Sequence, residues 1–139
     1  DHIPQRASNV ARIFNGGITV ARGLAQSQRM RFASFWQPSL FSKIKTEDEE
    51  QLFRTMALPP PDTQKIYRLA TLLIDKNQTH VITGALDSIK ERVMYDDCHV
   101  TEKGSRAIAA VIFDKIKPDL LELVKQKTSR PEPQEGAAP

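Results

Sequence analysis

The run YDDCHVTEK, residues 95–103, gathers the side chains best equipped for chemistry: Asp96, Asp97, Cys98 and His99 in four consecutive positions. Cysteine and histidine bind zinc well, but zinc sites space their ligands so that separate side chains turn toward one point. Neighbours in one short loop converge only with help from elsewhere, and His2 and His80 offer no matching pair. The run therefore reads as an acidic connecting loop, with no metal and no cofactor expected. Nucleophilic catalysis meets the same objection, because a base must reach the thiol in space and be oriented by a third group. The flanking carboxylates should also raise the thiol pKa, the wrong direction for a reactive thiolate. Asn15-Gly16-Gly17 lacks the lysine and the strand of a phosphate loop, and Asn77-Gln78-Thr79, formally a glycosylation sequon, has no secretory signal beside it. The sequence carries no recognisable catalytic geometry, so it is read as a non-enzyme.

The charges are more informative. Residues 1–45 hold seven lysines and arginines against Asp1 alone, a net +6, whereas residues 46–139 hold thirteen bases against sixteen acids, a net −3. On a helical wheel of residues 6–29, Arg12, Arg22 and Arg29 share one sector, opposite Val10, Ile13, Phe14, Ile18, Val20, Ala21 and Leu24. Arg6 would project into the apolar arc, so the helix is expected to begin after it, capped by Ser8 or Asn9. Gly16 and Gly17 weaken it by about 1 kcal/mol each, so it needs a surface on which to form. An arginine-rich, serine-containing, acid-poor amphipathic segment fits a mitochondrial transit peptide. Arg31 stands two residues before a matrix-processing-like cut between Phe32 and Ala33, so residues 1–32 read equally as a leader or as a retained arm.

Residues 32–45 add Phe32, Phe35, Trp36 and Phe41, four of the nine aromatics in the chain. Such residues stack on single-stranded nucleic acid, anchor in a partner's pocket, or pack on their own core. With no RNP or OB signature, partner docking and self-packing rank above nucleic acid. Arg12, Arg22, Arg29, Arg31, Phe35, Trp36 and Phe41 are thus the candidate contacts of an arm facing a partner or anionic lipid.

Beyond residue 45 the pattern is helical. Thr46 and Glu49 form a capping box for a helix over 47–57. Pro59, Pro60 and Pro61 predict a stiff spacer, with Asp62 capping a helix over 63–76 that carries Ile66, Leu69, Ala70 and Leu73 and stops near Asn77. Thr79 is expected to cap a helix over 80–96 bearing Ile82, Ala85, Leu86, Ile89 and Val93. Thr101 caps another over 102–127, kinked or split at Pro118. The longest apolar run, residues 107–113, falls far short of the roughly 18 residues that span a bilayer. One cysteine excludes an internal disulfide.

The expected fold is all-α: a small bundle of about four helices over 46–127, an extended basic N-terminal arm over 1–45, and a disordered tail over 128–139. The expected role is that of a non-catalytic accessory subunit of a large mitochondrial assembly, foremost a respiratory-chain complex or the ATP synthase. It would lie in the matrix or on the matrix face of the inner membrane. Its partners would be other subunits, with contact to an anionic membrane surface as an addition and RNA ranked lower. A mitochondrial ribosomal protein with an RNA-contacting arm is the alternative, and a free matrix protein with a discarded leader is a third reading.

Overall fold

A computed structural model describes residues 2–56 and 60–128. The chain is mostly helical: α1 (Ile3–Ser27), α2 (Glu47–Thr55), α3 (Pro60–Leu72) and α4 (Glu102–Thr128), with a two-residue parallel pair between β1 (Phe35–Trp36) and β2 (His80–Val81). Residues 129–139, which carry most of the expected tail, lie outside the described residues. Among the described residues no helix is long and apolar enough to cross a membrane.

Residues 3–27 do not extend as an arm. They form one helix from Ile3, with Pro4 in the first turn, and it runs through Gly16 and Gly17. Neither Ser8 nor Asn9 caps it, and Arg6 is simply an exposed residue within it. What stabilises α1 is α3. Ala7 and Ala11 allow close approach to Ile66, Ala70 and Ile74, and Trp36 fills the end of this first cluster. Asn15 clamps the C-terminal end of α3, donating to the Leu73 carbonyl and accepting from the Asp75 amide. The helix stops at Arg29, whose φ of 54° is left-handed. The Met30 amide then reaches back to the Ala25 carbonyl at 2.8 Å, a Schellman closure with arginine where glycine is usual.

The second cluster comprises Leu40, Leu86, Val93 and Met94, covered by Leu52 and Phe53 of α2 and by Ala107 and Ile108 of α4. The described residues thus build two cores instead of one bundle core. Two local expectations hold: Thr46 and Glu49 form the capping box, and Thr101 accepts from the Gly104 amide.

Three others need correction. The 80–96 helix is absent. His80 and Ile82 donate to the Ser34 and Trp36 carbonyls, so this stretch begins as a strand, and it continues as four-residue turns through Ile89. The Val93 amide goes to Glu49 and the Thr101 amide to the Val93 carbonyl. With the His80, Ile82 and Val93 amides taken by other elements, the segment buries Ile82, Leu86 and Val93 without helical geometry. Thr79, expected as a cap, bonds Ser34 at 2.7 Å. Of the expected proline spacer, Pro59 lies outside the described residues, while Pro60 and Pro61 open α3, as the first helical turn tolerates proline, and α3 ends at Leu72, before Asn77. Finally, α4 is one helix through Pro118 and is not split there.

Candidate interaction surface

The burial of α1 differs from its apolar arc. Its inward face is small, Ala7, Ala11 and Ala25 with Phe14 at the edge, and much of the arc faces outward. Ile13, Val20 and Leu24 are 67%, 73% and 64% exposed, and Val10 is exposed beside them. With Gly17 these form the series 10, 13, 17, 20, 24, a three–four alternation over two heptads. A Cβ placed at Gly16, Gly17 or Gly23 would meet nothing within 4 Å. A second apolar surface lies on α4, where Phe113, Leu120, Leu121 and Val124 are exposed and every residue from Lys117 to Thr128 is solvent-facing.

The structure separates the candidate basic residues. Arg12 and Arg29 are exposed, but Arg29 lies past the end of the helix and shares no sector with Arg12. Arg22 turns inward. Its Nη2 donates to the Gln78 carbonyl at 2.9 Å, its guanidinium lies 6.0 Å from the centre of the Phe32 ring, and its buried Nε has no partner. Arg31 pairs with Glu122 of α4 at 3.3 Å, a half-exposed contact worth little in stability. Arg12 and Arg29 are thus solvent-facing, and Arg22 is a clamp between α1 and the loop after α3.

The aromatic candidates turn inward as well. Trp36 donates to Thr71 at 2.9 Å and meets Phe14 edge-on and Tyr67 nearly parallel, with centroids 4.8 and 5.1 Å away. Phe41 is buried near Phe53 and Tyr67. Half-buried Phe35 stacks on His80 at 5.2 Å. Self-packing is therefore where the structure places Trp36 and Phe41. They do not stand out as anchors, because each sits against helices that the linker must cross.

These three residues, with Phe14, Tyr67 and Asp97, wall a cleft of about 390 Å³. The sequence offers Phe14 only as part of an apolar arc, Asp97 only as part of an acidic loop, and Tyr67 not at all, since three distant segments supply them.

Loop 95–99 also folds more tightly than adjacency implies. Asp96 Oδ1 accepts from the Cys98 and His99 amides, and Asp96 Oδ2 meets His99 Nδ1 at 2.7 Å. The ligand atoms of Asp96, Cys98 and His99 lie within 4.8 Å of one another, so these residues could hold a metal ion. The Cys98 thiol is pushed up in pKa by burial first and then by Asp97 and Asp96, as the acidic neighbours require. No family model matches the chain, and comparison with curated proteins and with solved structures likewise finds no match.

Proposed function

We propose that this chain is a non-catalytic accessory subunit of a large mitochondrial assembly, foremost a respiratory-chain complex or the ATP synthase, acting in the matrix or on the matrix face of the inner membrane. Its docking element is the outward seam of α1, and the occupant is an acidic helix of a neighbouring subunit. The observation that carries this reading is the exposed series Val10, Ile13, Gly17, Val20, Leu24. Its spacing is the width of a helix–helix seam, narrower than the broad face with which a helix lies on lipid. Gly17 within the seam leaves room for a partner backbone to approach closely. Charge sets the sign of the partner: Arg6 and Arg12 are exposed on α1, and no carboxylate occurs between Asp1 and Glu47. Retention of residues 1–32 belongs to the same reading, since their loss would uncover Trp36, Ile66, Ala70 and Ile74.

The test uses the full chain in mitochondria, solubilised gently and resolved as native complexes. The wild type should co-migrate with a large complex, with residues 1–32 present by intact mass. A cysteine at Val20 (Cys98→Ser background) should cross-link to an acidic helical segment, and Ile13→Glu with Val20→Glu should release the protein. Co-migration unaffected by the double substitution would overturn the docking face. So would binding of the purified chain to anionic vesicles or to RNA through that face without a protein partner.

A further inference from the structure

The cleft between the two cores has a composition unlike that of the segment that builds most of it. Residues 1–45 are rich in arginine and lysine, yet none lines this cleft, whose one ionisable carboxylate is half-buried Asp97. At about 390 Å³ it falls in the size range of small-molecule sites. Its walls are largely rings set at different tilts: Trp36 and Tyr67 at 24°, Trp36 and Phe14 at 81°, Phe41 and Tyr67 at 45°. Five aromatic side chains, Phe14, Phe35, Trp36, Phe41 and Tyr67, thus border one space. Cations are attracted to aromatic faces, and the attraction grows when water is excluded.

The acid is held in place. The Leu40 amide donates to the Asp97 carbonyl at 2.9 Å, tying loop 95–99 to the linker at the rim of the cleft. Among the described residues no lysine or arginine pairs with the Asp97 carboxylate. The remaining polar groups are largely committed: the Tyr67 hydroxyl donates to the Gln37 carbonyl, and Ser39 Oγ accepts from the Phe41 amide. An aromatic enclosure with one carboxylate and no lysine or arginine in its lining is complementary to an organic cation.

We propose that this cleft binds an alkylammonium group, with the rings of Phe14, Phe35, Trp36, Phe41 and Tyr67 around the cation and Asp97 as its counter-charge. The same chemistry could arrive as a lysine side chain or as a quaternary headgroup. The proposal does not depend on the docking reading of α1.

Trp36 is the sole tryptophan and stands in the wall, so its emission reports occupancy directly. The full chain would be titrated at constant ionic strength with choline, with n-butylammonium and with 3,3-dimethylbutan-1-ol, the neutral carbon isostere of choline. At least one cation should saturate in the millimolar range or below, at least about tenfold tighter than the neutral isostere. Tighter choline marks a quaternary headgroup; tighter butylammonium marks a lysine-like ligand. Asp97→Asn, checked for folding by circular dichroism, should weaken the cation about tenfold and leave the isostere unchanged. Equal binding of cation and isostere, or no saturation by either cation, overturns the proposal. The wild-type ratio decides it even if the variant fails to fold.

Discussion

The two cores solve the same problem with opposite materials. The first, between α1 and α3, is helix on helix, with alanines setting the spacing and Trp36 closing one end. The second is largely turns and extended chain, Leu40, Leu86, Val93 and Met94, roofed by short stretches of α2 and α4. Irregular chain leaves amides and carbonyls without repeating partners, so something must gather them. Here that is a fully buried ion pair, Lys43 Nζ to Glu49 Oε2 at 2.7 Å with neither side chain exposed. Glu49 also accepts from the Thr46 and Val93 amides, and Lys43 donates back to the Ile44 carbonyl. Burial pushes the Glu49 carboxyl pKa upward, but the bonds from Lys43, Thr46 and Val93 outweigh it and leave it lowered. The regular core is specified by shape, the irregular one by a charge.

If that contrast is right, its largest consequence is at Glu49. Glu49→Ala strands a buried ammonium and two amides together, and should cost about 3–5 kcal/mol in denaturant unfolding. Replacing the pair by Lys43→Met and Glu49→Leu removes the stranded charge but not the need of the Thr46 and Val93 amides, so only part of the loss should return. Full recovery would show that the pair contributes charge balance alone and gathers nothing. The pH dependence has a definite sign. A carboxylate with a lowered folded pKa stabilises above its unfolded value and loses that contribution as pH falls through the folded one, so the second core should loosen in acid.

The first core should fail by volume. Ala11 is buried where α1 meets α3, and Ala11→Leu forces the helices apart at a cost of about 1–3 kcal/mol. The same change at Gly17, in open space, should not destabilise the isolated chain. Equal effects at the two positions would mean that α1 packs through another face, and would remove the basis for its outward seam.

How far each core can be read from sequence follows from this difference. Helical elements with local caps are legible: Thr46 with Glu49, and Thr101 ahead of α4, act within one turn of the chain. Which face of α1 is buried is not. The wheel gathers Val10, Ile13, Val20 and Leu24 as an apolar arc, but the contact with α3 selects the alanines because only they permit the close approach. The second core is less legible still. Ile82, Leu86, Ile89 and Val93 recur at helical spacing, and the same spacing arises when successive turns present one residue each to a core. Long-range partners decide between the two: Glu49 captures the Val93 amide from 44 positions away. The aromatic cleft is assembled from α1, the linker, α3 and loop 95–99, so no local pattern announces it.

The smallest expected effect tests whether charge organises the irregular half at its surface as well. Asp96 holds loop 95–99 by accepting from two amides and from the exposed His99 ring. The hydrogen bond to Asp96, and then its charge, raise the His99 pKa above the ordinary 6.5. The His99 and Cys98 amides, with the His99 side chain, hold Asp96 well below the usual carboxylate range. A raised histidine stabilises below its unfolded pKa and loses the contribution as pH rises through the folded one; a lowered aspartate loses its contribution as pH falls. The pair is therefore fully effective from roughly pH 4 to about pH 6.5 and loses its contribution on either side. Both groups are solvent-exposed, so global stability should scarcely change across that window. The readout is the His99 titration itself, followed by NMR. Asp96→Asn keeps an oxygen for the two amides while removing the charge, so the His99 midpoint should fall back toward 6.5 with the loop intact. An unmoved midpoint would show that the turn geometry, and not the carboxylate charge, sets the environment of His99, and the parallel with Glu49 would end at the surface.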